Sequence, residues 1–211
     1  MYHDSIYTQR EMSMGYVRII HTVPDAPNVD VYANDKLILN NLAYGDYTDY
    51  LSIPEGIYKI SLYVAGTKDS AVVSNMLTVN RNAILTVAAV GTLSDIGLLA
   101  IADANENGMR GKAMIRFLHL SPNAPAVDIT LPNGTVIFSN VSFKHITPYI
   151  DVAPMNYTLQ VRVAGTPNVV LTVPNINLSA DKYYTVYAIG LVDKEPQLAA
   201  LLLLDGENRM K

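Results

Sequence analysis

The chain has 211 residues, half of them hydrophobic and 16% charged, with a formal net charge of −4 at pH 7. That size suits one large domain or two small ones, and the composition excludes the low-hydrophobicity, high-charge signature of disorder. The acidic balance weighs against a nucleic-acid partner, which needs a clustered cationic face, and a chain without cysteine has no disulfide, thiolate nucleophile or sulfur-ligated metal.

Residues 1–14 scatter Tyr2, Ile6, Tyr7, Met12 and Met14 among polar groups. They read as an N-terminal tail, or as an arm that adds a strand to the sheet edge of a neighbouring copy. No secretory signal peptide is visible, and no apolar run approaches the ~20 residues of a transmembrane segment.

From Val17 onward the chain is written twice. Arg18, His21, Pro24, Pro27 and Asp30 return as Arg116, His119, Pro122, Pro125 and Asp128, 98 positions later. Val64-Ala65-Gly66-Thr67 and Thr86–Gly91 return 99 positions on. A repeat of this length is a domain and not a solenoid unit. The division is 1–14 arm or tail, 15–104 first module, 105–111 linker, 112–206 second module and 207–211 C-terminal tail.

Within each module the apolar period is close to two, as in Val29-Asp30-Val31-Tyr32 and Tyr58–Val64. Turn residues punctuate the pattern densely, and no window carries a helical stripe. Ile84–Val90 and Leu198–Leu204 are continuously apolar, which suits strands covered on both faces. The fold class is therefore all-β: two tandem antiparallel β-sandwiches of ~7 strands each.

The run Val17-Arg18-x-x-His21-x-x-Pro24-Asp25-Ala26-Pro27-x-Val29-Asp30-Val31-Tyr32, with Tyr44-Gly45, Tyr50-Leu51-x-Ile53-Pro54-x-Gly56-x-Tyr58 and Thr86–Thr92, resembles the prokaryotic domain-of-unknown-function family numbered 4397. The second module is looser, with Asn123 for Asp25 and Lys144 for Gly45. The resemblance implies an immunoglobulin-like or transthyretin-like sandwich, commonly in tandem on exported bacterial proteins. It implies no enzymatic activity.

His21 and His119, each followed by an aspartate (Asp30, Asp128), could form an acid/base or metal pair. Both copies keep the arrangement while other polar positions drift, which favours a requirement of the fold, with the ring nitrogens bonded to turn backbone. Pro24-Asp25-Ala26-Pro27 and Pro122-Asn123-Ala124-Pro125 read as rigid bends whose Asx residue bonds backbone two positions on. Asp103, Asn105 and Asn107 match the first half of a calcium loop, but Met114 stands where the bidentate Glu belongs, so no metal is assigned. No Gly-x-Ser-x-Gly elbow or phosphate loop is present. Tyr32 and Tyr47 are the aromatic residues freest to meet a ligand. Tyr44 and Tyr50 recur as Phe143 and Tyr149 and read as core or cross-strand pairs.

The reading that follows is a non-catalytic structural or binding protein without cofactor. It would act by adhesion, protein contact or self-assembly at a bacterial cell surface, spore envelope or extracellular site, with the cytoplasm as the alternative location. A pair of carbohydrate-binding modules using Tyr32 or Tyr47 is the second reading. A hydrolase using His21 and Asp30 is the third.

Overall fold

The computed structural model describes residues 13–104 and 110–206, so most of the arm, Asn105 to Met109 of the linker and the tail from Glu207 lie outside the described residues. The first module holds β1 (Met14–His21), β2 (Val29–Ala33), β3 (Lys36–Leu42), β4 (Leu51–Pro54), β5 (Gly56–Val64), β6 (Val73–Val79), β7 (Ile84–Val90) and β8 (Gly97–Ala102). The second holds β9 (Ala113–His119), β10 (Val127–Thr130), β11 (Val136–Val141), β12 (Ile150–Val152), β13 (Asn156–Val163), β14 (Val169–Asn177), β15 (Lys182–Ile189) and β16 (Ala199–Asp205). A 3-10 turn at Leu93–Asp95 is the one helical element among the described residues. The all-β, two-sandwich expectation holds, with eight strands per module where about seven were expected.

Each module stacks two four-stranded sheets: β3-β2-β5-β6 over β4-β1-β7-β8, and β11-β10-β13-β14 over β12-β9-β15-β16. The pairing is antiparallel with one exception per module. Tyr16–His21 of β1 run parallel to Ile84–Ala89 of β7, and β9 runs parallel to β15 in the same way. In both inner sheets the first strand of the module is inserted between a short edge strand and the penultimate strand.

Alternation along the inner strands explains the doubly apolar runs. Val17 and Ile19 of β1 and Val87 and Ala89 of β7 face the first module's core with Val31, Ile60 and Leu62. Ile115, Phe117, Val186 and Ala188 face the second core with Ile129, Leu159 and Val161. The alternate residues do not face water. Ile20, Ala88, Val90 and Ile101 pack against Leu118, Leu120, Tyr187, Ile189 and Leu203 in a third buried cluster that belongs to both modules. The order of layers is thus outer sheet, inner sheet, inner sheet, outer sheet. The modules are joined by this seam as well as by the linker. The seam escaped the sequence reading because each sandwich satisfies its alternation alone.

The connection after β7 and β15 turns on a glycine in the left-handed region, Gly91 (φ 102°) and Gly190 (φ 87°). A Cβ on Gly91 would collide with the carbonyl oxygen of Asp95, and one on Gly190 with that of Gln197. Since the obstacle is backbone, the loop itself would have to move. Gly190→Ala is expected to cost about 2–4 kcal/mol, read from the urea midpoint, whereas Gly134→Ala, strained in φ but facing open space, should cost about 1–2.

Candidate functional site

The repeated polar residues fall into two constellations. The first is a turn latch at the top of each inner sheet. His21 ends β1 fully buried; its Nδ1 accepts the Val23 N–H (3.3 Å) and its Nε2 donates to the Pro27 carbonyl (3.2 Å). His119 does the same with the Ser121 N–H (3.3 Å) and the Pro125 carbonyl (3.0 Å). The proline-rich bend is therefore tied back to the strand it leaves. Burial lowers both imidazole pKa values, and the proline carbonyls offset this only in part.

Asp30 does not approach this latch as a catalytic partner would. Its carboxylate accepts the N–H groups of Asn41 (2.8 Å) and Gly66 (2.9 Å), tying β2 to the bulged β3 and to the β5–β6 turn. Asp128 repeats the bonds with Asn140 (2.7 Å) and Gly165 (2.8 Å). The hydrolase pair of His21 and Asp30 is thus spent separately on backbone.

The Asx residues of the bends bond further away than expected. Asp25 accepts the Leu93 N–H (2.8 Å), and Asn123 makes two bonds to Val192, one as donor (3.0 Å) and one as acceptor (2.9 Å). Their partners lie in the loop after the penultimate strand, not two residues on. An amide serves where both N–H and C=O of the facing backbone are free to pair, which accounts for Asn123 in the second copy. Lys144, standing for Gly45, keeps the left-handed backbone (φ 65°) and the N–H donated to the histidine carbonyl.

Tyr44 lies edge-on to His21 (ring centroids 6.4 Å), as Phe143 lies to His119. The Tyr44 hydroxyl is buried with no hydrogen-bond partner among the described residues, and burial pushes its pKa up to about 12. The second copy dispenses with that oxygen. Tyr44→Phe is accordingly expected to stabilise the protein by about 0.5–1.5 kcal/mol, measured by thermal melting; a loss would show that the hydroxyl is engaged.

The second constellation sits in the middle of the seam and was not foreseen. Arg18, Asp103, Arg116 and Asp205 are all buried. The ion pairs cross between modules: Arg18 Nη2 to Asp205 Oδ1 at 2.7 Å, and Arg116 Nη2 to Asp103 Oδ1 at 2.5 Å. Each carboxylate is completed within its own module. Asp103 accepts the hydroxyls of Tyr50 (2.7 Å) and Thr86 (2.6 Å), and Asp205 accepts those of Tyr149 (2.8 Å) and Thr185. Each guanidinium also donates to a carbonyl across the seam, Arg18 to Leu204 (2.9 Å) and Arg116 to Ala102 (2.8 Å). Tyr50 and Tyr149 cover the Arg18 and Arg116 guanidinium carbons at 4.8 and 4.4 Å from their ring centres.

The charges of this quartet sum to zero, which is how four ionised groups survive away from water. Burial alone would lower the pKa of Arg18, but Tyr187, Tyr50, Asp205 and Asp103 together raise it. Burial and the neighbouring Asp205 push Asp103 up, while Arg18, Thr86 and Arg116 pull it back.

The remaining sequence candidates separate. Asp103, the first calcium candidate, has both oxygens committed to the quartet, and Asn105 and Asn107 lie outside the described residues. Tyr32 sits on β2 of an outer sheet, its ring met edge-on by Tyr63 (5.1 Å) and its face covered by Lys68 Nζ (4.6 Å). Tyr47 is half exposed at the mouth of a cleft of about 250 Å³ at the seam, formed with Thr48, Asp49, Tyr50 and Leu202–Leu204. The two tyrosines do not share a surface.

Two β-sandwiches of one repeated design, locked back to back by crossed ion pairs, define a duplicated tandem-sandwich protein. Residues 15–130 and 131–210 each match the model of a family described as Domain of unknown function (DUF4397), and the chain belongs to that family in two tandem copies. No curated protein matches it. No helix among the described residues is long and apolar enough to cross a membrane.

Proposed function

We propose that the chain is a non-catalytic structural or binding protein of a bacterial cell or spore surface, acting as a rigid block through contact with other proteins or with copies of itself. The observation that carries this reading is the use made of the repeated polar residues. Histidines, aspartates and arginines alike spend their polar atoms on turn backbone or on the seam, so duplication preserved an architecture. Contact with copies would use the arm at residues 1–14.

The test is light scattering of the full chain and of a chain lacking residues 1–14, at high concentration. A mass above the monomer that falls on truncation supports assembly; two monomers refute it. A hydrolytic turnover abolished by His21→Ala, with melting unchanged, would refute the non-catalytic reading. A glycan contact is a second reading, favoured by the half-exposed Tyr47 beside Thr48 and Asp49 in the seam cleft. Binding on a glycan array that disappears with Tyr47→Ala would support it over the first.

A further inference from the structure

The seam is built from equivalent positions of the two copies. Arg18 answers Arg116, Thr86 answers Thr185, Tyr50 answers Tyr149, Asp103 answers Asp205, and Ile20, Val90 and Ile101 answer Leu118, Ile189 and Leu203. Such a set is self-complementary. By its ions and aliphatic residues alone, either module face would accept a second copy of itself as readily as the other module.

The equivalence is broken at Leu120, which answers Thr22, at Ile146, which answers Tyr47, and, with the largest difference in size between two fully buried residues, at Tyr187. Tyr187 on β15 is fully buried in the shared cluster, its hydroxyl 3.4 Å from Arg18 Nη2, and its counterpart on β7 is Ala88, also fully buried. Burial and both aspartates raise the Tyr187 pKa, and both arginines pull it back.

We infer that the seam is a heterotypic docking surface: the face of module one fits the face of module two and rejects a second copy of itself, because one tyrosine fills a slot that two tyrosines would overfill and two alanines would leave empty. Overpacking and cavities both oppose like-to-like pairing in a close-packed interface. The partner this surface fits, beyond its own chain, is the opposite module of a second copy. Any association of copies through this face is then an exchange of modules, one to two and two to one. Within one chain the linker supplies a high effective concentration, which favours the closed form.

Size exchange in the full chain tests the idea. Ala88→Tyr and Tyr187→Ala are each expected to lower the melting temperature by about 10 °C or more, the former by overfilling and the latter by emptying the slot. The double variant Ala88→Tyr/Tyr187→Ala moves the tyrosine to the equivalent position and should recover at least half of the summed loss. Full additivity of the two losses would overturn the inference. Should the single variants fail to fold, a second measurement decides. The wild-type chain with a protease site between Ala104 and Arg110 is cleaved and observed by native mass spectrometry. Expected are pairs of one module with the other; homodimers of either module would overturn the proposal.

Discussion

Asp205→Asn lowers the unfolding free energy by about 3–5 kcal/mol, with a fall in melting temperature of about 10 °C or more. The substitution keeps shape and removes charge, so Arg18 stays buried against an amide that cannot neutralise it. The new amide N–H₂ also faces Thr185, Tyr149 or Arg18, all of which donate to that carboxylate. The exposed pair of Lys112 and Asp151 (3.5 Å, side chains 45% and 48% exposed) is the internal control. There, Asp151→Asn should change stability by less than about 0.5 kcal/mol, because water screens and replaces the interaction. A double variant Arg18→Met/Asp205→Leu should cost less than the sum of its parts, since no lone buried charge remains. A loss under about 1 kcal/mol for Asp205→Asn would mean that water reaches the quartet.

Acid weakens the fold through the two histidine latches. Each imidazole is neutral when folded, because Nδ1 accepts a backbone N–H while Nε2 donates to a proline carbonyl. Burial lowers both folded pKa values from the ordinary 6.5. Below pH ~6.5 the unfolded chain therefore binds more protons than the folded one, and the stabilisation present above that pH is lost as pH falls toward the folded values. The limit is about 1.4 kcal/mol per pH unit for each histidine. Urea midpoints measured from pH 8 to pH 5 should fall in the wild type. They should be lower at pH 8 but flatter in His21→Gln/His119→Gln. Asp103, raised by burial, works in the opposite sense in more acidic solution, so the difference between the two proteins isolates the imidazoles. Equal pH profiles would show that the latches are not titrating.

Local patterns in the sequence were enough for the sandwich. Period-two alternation in Val29–Tyr32 and Tyr58–Val64 gave strands with one buried face, and the repeated His-x-x-Pro bend gave a turn that needed fixing. The parallel pair was not legible, because pairing direction depends on which strand ends up beside β1. The quartet was hidden for a related reason: its ion pairs join residues 187 and 13 positions apart, so neither partner lies within the other's local pattern. A clue did exist. Arg18 interrupts the apolar run Val17–Ile20, and both Arg18 and Asp103 recur in the second copy as Arg116 and Asp205. Asp103 instead read as a linker residue, because the Asn-rich stretch after it is polar. The Asp25 and Asn123 bonds were likewise invisible, as each reaches a loop 68 or 69 residues away.

The order in which the polypeptide is made adds a temporal problem to this design. β7, which completes the inner sheet face beside β1, ends 115 residues before β16 supplies Asp205. At ~5–20 residues per second, the inner face with Arg18, Ile20 and Val90 stays bare for about 5–20 s. During that interval a ribosome-associated chaperone, or a neighbouring nascent chain, meets an unfinished surface on which Arg18 and Asp103 have each other but lack their partners from the second module.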